Sequence, residues 1–405
     1  MAVAFFLPVY GRLVPPFIVL MVLNWLADGR FIKNFGRLFR EKPRWQILSF
    51  ALFYLLYLIG MGWSANGVYG WFDLEIKLSL LLFPLIFSSL PSSLLMNRNK
   101  VMFAFTAGCI SGSLLMLGHA AWNFIENHQT GAWYYIELGW IIHPSYISMY
   151  LNLAIVFLLM EYQQAGTTRR MKAGLVALVL LFMMMILLLS SKAGVIALLI
   201  TIGIVALVSF VTRRSVLPGS GFIGMLVAVV LFSFFFAPYA FTRFSSVNPV
   251  LSGEQESLRA APESNADRID IWRSSIGIIR DNFWVGTGTG DVKDALLHSY
   301  SAGKILPAYK LRLNAHNQYL QTFITLGVTG FLVLILMLLL PAIRALRSRD
   351  LVYLLFLLVF AFNCLVESML EEQAGVVYYA FFNIVLFAMQ TQTGKQLPVS
   401  PSESK

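Results

Sequence analysis

Apolar runs of about 18–24 residues recur along this chain, and each is long enough to cross a hydrocarbon layer roughly 30 Å thick as one helix. That feature limits the fold more than any other. Soluble domains of this length are about 45–50% apolar, whereas here 58% of 405 residues are hydrophobic and the mean hydropathy is +0.73. The expected fold class is therefore an all-α polytopic membrane protein with about twelve transmembrane helices and one large, partly helical periplasmic loop. The apolar segments fall at about 2–11 (short), 14–28, 46–65, 75–91, 101–124, 143–161, 171–189, 191–212, 219–240, 317–343, 351–366 and 373–391. Cys109 and Cys364 lie inside apolar runs, without metal spacing or a disulfide pattern, and read as small core residues.

Cations set the orientation. Lys and Arg gather in alternate loops: Arg30 to Arg44, Arg98 and Lys100, Arg169 to Lys172, Arg213 and Arg214, and Arg344 to Arg349. The loops between, such as Ser64–Trp71, are nearly free of them. The positive-inside rule then places both termini in the cytoplasm. Residues 1–241 are expected to hold helices one to nine, 242–315 the large periplasmic loop, and 316–392 helices ten to twelve. Residues 393–405 read as a disordered cytoplasmic tail. The start, Met1 to Pro16, has no basic region or small-residue cleavage site and reads as membrane segment rather than signal peptide.

The most informative polar stretch is Asn314-Ala315-His316-Asn317-Gln318-Tyr319-Leu320, where the long polar segment meets an apolar one. It places His316 at the outer membrane surface, in the first turn of a helix. The unpaired amides and positive end of a helix start disfavour a second positive charge there. They favour the neutral imidazole that a general base needs.

Other polar groups cluster on the same side. Ser264 or Asn265 can cap a helix on which Arg268 and Trp272, four apart, share a face. The turn Gly286-Thr287-Gly288-Thr289-Gly290 follows, without the strand or lysine of a P-loop, and reads as a tight loop. A guanidinium fork matches phosphate oxygens, which makes Arg268 a candidate, with Arg273 and Arg312 added by their proximity in sequence. Lys192 stands at an external hairpin close to hydrocarbon, where a charge is costly. Among the outer carboxylates, Asp73 with Glu75 suggests a thin divalent-cation site. Glu367 with Glu371 can orient a His or an Arg, or face water. His143 heads a crossing before Pro144 and suits a structural or acceptor-lining role. Trp122, Trp133, Tyr134, Tyr135 and Trp140 suit an interface belt or a platform for sugar rings.

One chemistry uses an external base with several cations nearby: attack of a hydroxyl on an anomeric carbon whose leaving group is a lipid diphosphate. Fixed cations stabilise the charge that grows on the leaving group, and the base activates a weak nucleophile.

The sequence resembles the O-antigen ligase family of polytopic glycosyltransferases across about segments five to twelve. His316-Asn317-Gln318-Tyr319-Leu320 with Gly327 is similar to the family's His-Asn-x-Tyr/Leu motif. Arg268 with Trp272 and the Gly286–Gly290 turn resemble its Arg-x-x-x-Trp helix and Gly-rich turn. Ser191-Lys192-Ala193-Gly194 stands where the family usually has Ser-Arg-Gly, and the lysine keeps the charge but loses two-point binding. The resemblance implies a metal-independent, inverting transfer of a glycan from undecaprenyl diphosphate to an acceptor, usually lipid A-core, on the periplasmic side of the bacterial inner membrane. It makes His316 the base and Arg268 a diphosphate ligand. Asn317, Tyr319, Trp272 and Glu367 are supporting residues. No cofactor, metal or nucleic acid is expected. Relatives that polymerise glycan or modify protein acceptors share these needs. From another class, a polysaccharide flippase would place ionisable residues deep in several crossings, at the midplane.

Overall fold

The computed structural model describes residues 1–29, 44–89, 98–163, 166–213 and 265–393, with Gly221, Gly224, Val227 and Leu231 isolated between them. The basic loop after Gly29, Arg214, most of the apolar segment 219–240, residues 242–264 with the Ser264 cap, and the tail from 394 lie outside the described residues.

What is described is helical. In chain order the α-helices of five or more residues are α1 (Ala2–Val9), α2 (Val14–Asp28), α3 (Arg44–Gly60), α4 (Gly67–Lys77), α5 (Ser79–Ser89), α6 (Arg98–Asn127) and α7 (Pro144–Tyr162). Then follow α8 (Arg169–Leu188), α9 (Lys192–Arg213), α10 (Asn265–Asp281), α11 (Val292–Ala302), α12 (Leu306–Lys310), α13 (Gln318–Arg347), α14 (Leu351–Val366) and α15 (Gln373–Thr393). Among the described residues, six segments are long and apolar enough to cross a membrane: Gly11–Asp28, Arg98–Asn127, Pro144–Tyr162, Arg169–Leu188, Lys192–Val211 and Gln318–Arg347. Three shorter apolar helices, Ile47–Trp63, Leu351–Val366 and Gln373–Ala388, pack among them.

Two apolar runs behave differently from a single crossing. The run at 2–11 forms the eight-residue α1, which lies against α6 where Gly108 and Gly112 leave room for the Phe5 and Pro8 carbonyls. The run at 75–91 belongs to two helices of 11 residues, α4 and α5, which part at Leu78.

The core forms around α7, most of which is buried. Apolar burial does not drive helices together in lipid, so packing and interhelical hydrogen bonds carry the contact. Gly194 of α9 sits against Ser148, and Asn152 donates to the Gly194 carbonyl at 3.1 Å. Tyr150 stacks on Tyr378 of α15 with ring centroids 4.9 Å apart. Tyr353 donates to Asn383 at 2.7 Å. At the end of the bundle that carries the α13 arginines, Arg98 pairs with Asp350 through both nitrogens, at 2.8 and 3.2 Å.

A smaller core of Ile271, Ile278, Val292, Leu296, Tyr300, Ala308 and Ala315 joins α10, α11 and α12 to Ile324 on α13. Helix α13 breaks at Gly327, which has φ 65° and ψ −162°. The Gly-rich turn repairs this break: Thr287 and Gly288 amides donate to the Ile324 and Thr325 carbonyls at 2.8 and 3.0 Å, and the Val328 amide donates to the Phe283 carbonyl at 2.9 Å. Buried non-helical backbone persists only where its polar groups find partners. The turn is pinned on its other side by Thr289 donating to the Tyr57 carbonyl at 2.6 Å and by Asp291, which accepts from the Ala65 and Asn66 amides at 2.8 and 2.7 Å. Its amides are thus engaged with protein, in keeping with a tight loop.

Candidate active site

Asn317 caps α13, with its side-chain oxygen accepting from the Tyr319 and Leu320 amides at 2.9 and 3.1 Å. His316 therefore stands one residue before the cap and not in the first turn, because Asn317 meets the free amides itself. The His316 backbone is left-handed, φ 44°, a strained conformation for a side chain of that size. Neighbours hold it there. Asn314 accepts from the His316 amide at 2.9 Å, Gln321 accepts from the Ala315 amide at 3.1 Å, and Trp272 of α10 donates to the Ala315 carbonyl at 3.1 Å.

The second wall is the turn between α14 and α15. Asn317 donates to the Leu365 carbonyl at 3.0 Å and the Leu370 amide donates to Gln318 at 2.6 Å. Tyr319 donates to the Ala361 carbonyl at 2.9 Å. These bonds bring Glu367 to His316, with Nδ1 2.9 Å from Oε1. When Nδ1 donates to this carboxylate, Nε2 is left as the proton acceptor. Nε2 is buried and has no hydrogen-bond partner within the protein. Arg268 donates to the Val366 carbonyl and holds a second nitrogen 3.8 Å from Glu367 Oε2. Burial pushes the Glu367 carboxyl up, but the hydrogen bond and charge of His316, with Arg268, bring it down to about 2.

A cleft of about 360 Å³ is lined by Ile142, His143, Tyr146, Asn314, His316, Glu367, Glu372 and Ala374. His143 caps α7 by accepting from the Ser145 amide at 3.4 Å and forms part of the wall, as an acceptor-lining residue would. Glu372 sits at the rim, where burial and the charges of Glu371 and Glu367 raise its carboxyl.

The remaining expected residues take different places. Arg273 is exposed and pairs with Asp270 at 3.3 Å, an ordinary surface ion pair. Arg312 is exposed in a left-handed turn after α12, and Lys293, lowered by burial and then by the Arg312 charge, lies near it. Lys192 opens α9 in a turn packed on Ser148, below Tyr146 along α7. Neither these three nor Arg268 is among the residues that line the cleft; Arg268 reaches it only through Glu367. Glu371 does not pair with Glu367 along a helix, because residues 367–372 form a turn. It accepts instead from Lys77 at 3.1 Å and from Gln321 at 3.2 Å. Lys77 also binds Asp73, while Glu75 points to the exposed side of α4, so Asp73 and Glu75 do not form a joint cation site. Lys77 was not legible as a site residue, since its carboxylate partner Glu371 is 294 positions away.

A histidine aligned by a buried carboxylate, beside an arginine and an open cleft at one end of a helical bundle, is an arrangement suited to acid–base chemistry. Residues 176–335 match the family model described as O-antigen ligase. The family's activities are ligase- or polymerase-like membrane glycosyl transfer, with lipid-linked glycan and lipid acceptors in general. The matched stretch includes Lys192, Arg268, Trp272 and His316 and ends before Glu367, so it is shorter than the resemblance the motifs suggest. A search of curated proteins finds no match.

Proposed function

We propose that the chain moves a glycan from undecaprenyl diphosphate to an acceptor hydroxyl, lipid A-core or similar, at the periplasmic face of the bacterial inner membrane. The observation that carries this reading is the buried, unpartnered Nε2 of His316, a residue that lines the cleft, while Nδ1 is held by Glu367. Nε2 takes the acceptor proton as the hydroxyl oxygen bonds to the anomeric carbon. The bond from that carbon to the diphosphate breaks, and its electron pair leaves with the lipid diphosphate toward Arg268. Single displacement inverts the anomeric centre. Arg268 retains N–H groups beyond those on Val366 and Glu367, and a planar fork suits two phosphate oxygens. Lys192 and Arg312, which do not line the cleft, are further candidate cations for the same leaving group.

The topology belongs to this proposal: about twelve crossings, both termini cytoplasmic, and 242–315 periplasmic. Among the described residues, the buried charged side chains are Asp73, Lys77, Asp267 and Glu367, and each is tied to the His316 end. A flippase would need such groups along its midplane.

The test supplies purified protein with an undecaprenyl diphosphate-linked glycan and rough lipopolysaccharide, with His316→Ala in parallel. Glycan moved to lipopolysaccharide by the wild type alone supports the ligase and its base. Glycan that lengthens on its own lipid makes the protein a polymerase. No transfer to either acceptor removes the reading.

A further inference from the structure

The segment that follows α10 carries a feature the transfer chemistry does not use. Phe283, Trp284 and Val285 are 42%, 73% and 57% exposed, and Ile276 on α10 is 44% exposed. Such a run in a water-facing loop is costly, and large exposed apolar patches mark contact surfaces.

Its position says what covers it. The Phe283 carbonyl accepts from Val328, and Trp284 and Val285 lie against Gly327, where a side chain would meet the Val285 nitrogen at 2.6 Å. Phe283 packs on Phe323 with centroids 5.4 Å apart, and Phe323 on Phe331 at 5.2 Å, so the rings continue past the break into the lower arm of α13. That arm exposes Leu332, Leu336, Leu339 and Ile343 and ends in Arg344 and Arg347. From Val328 to Arg347 it runs roughly 20 residues, or ~30 Å, the thickness of the hydrocarbon layer. The break therefore falls at the boundary of the apolar layer on the His316 side, and Trp284 falls there with it. Tryptophan prefers this level, and the exposed Arg280 just before it suits lipid phosphate.

We propose that Phe283–Trp284–Val285 is a membrane-dipping anchor whose partner is the bilayer itself. It fixes the lower end of α10 in the lipid interface, while Trp272 and Arg268 fix the upper end at His316. This does not rest on the glycosyl-transfer reading.

The test places a nitroxide at Trp284→Cys in the full chain in lipid nanodiscs, with Leu336→Cys as lipid reference and Arg273→Cys as water reference. Cys109 and Cys364 are buried and stay unlabelled. Collision with oxygen and with a water-soluble nickel chelate is measured at each site. The expected result is a position 284 several-fold more oxygen-accessible relative to nickel than 273, approaching 336. Nickel accessibility at 284 equal to that at 273 overturns the anchor. Dipolar broadening between labels at 284 also overturns it, since a second copy would then cover the patch. If Trp284→Cys does not assemble, Val285→Cys gives the same reading one residue away. The wild type and Trp284→Phe can also be compared for fluorescence quenching by brominated lipids. Equal quenchable fractions in the two proteins count against the anchor.

Discussion

His316 Nδ1 and Glu367 Oε1 are 2.9 Å apart, and the two residues meet across 51 positions of sequence. The pair fixes one tautomer, so its removal should cost rate more than binding. Glu367→Gln is expected to lower kcat by roughly 10²–10⁴ with little change in donor or acceptor KM, as when an orienting carboxylate is neutralised elsewhere. A mainly structural Glu367 would instead lower the amount of folded protein at unchanged kcat.

The same carboxyl makes stability depend on acid. Its folded value of about 2 lies below the ordinary 4.5. Its contribution is complete above about 4.5 and is lost as pH falls through about 2. Melting temperature in detergent should drop across that window in the wild type and fall less steeply in Glu367→Gln. Equal slopes would show that the pair does not stabilise the fold.

Arg268 has one nitrogen on the Val366 carbonyl and another near Glu367. Lysine keeps the charge and loses the fork. Arg268→Lys should lower kcat/KM for the lipid diphosphate donor by about 10–100-fold, the loss of one or two charge-assisted hydrogen bonds, and leave acceptor KM unchanged. Equal effects on both substrates would remove the diphosphate role.

Lys77 is fully buried between Asp73 and Glu371, with its ammonium 4.6 Å from the centre of the Tyr57 ring. Lys77→Met leaves the buried Asp73 carboxylate unpaired and takes the cation from Glu371, and should cost roughly 3–5 kcal/mol. Because Glu371 belongs to the turn that presents Glu367, activity should fall as well. Adding Asp73→Asn should recover part of the stability, and strict additivity in that double mutant would show the two are not coupled.

Gly327→Ala adds a methyl group against the Trp284–Val285 backbone at a φ of 65°. The expected loss is roughly 2–4 kcal/mol, combining left-handed strain and displaced backbone. Unchanged thermal stability would mean that the turn at 283–288 moves freely from α13.

Much of the bundle was legible because an apolar run has a length and a period. The segment 351–366 coincides with α14, and 143–161 with α7 to within a residue or two. Arg268 and Trp272 share a face because helical spacing demands it, and both reach the His316 region. Hydropathy over the run at 75–91 does not register the local irregularity at Leu78, between α4 and α5. The matched family and the His316 motif are likewise properties of the chain read in order.

Tertiary structure alone decided which carboxylate serves His316, that Glu371 answers Lys77 across 294 positions, and that the Gly-rich turn repairs the α13 break. These contacts join segments whose spacing carries no period. They exist because buried backbone and charged groups must find partners wherever packing brings them together.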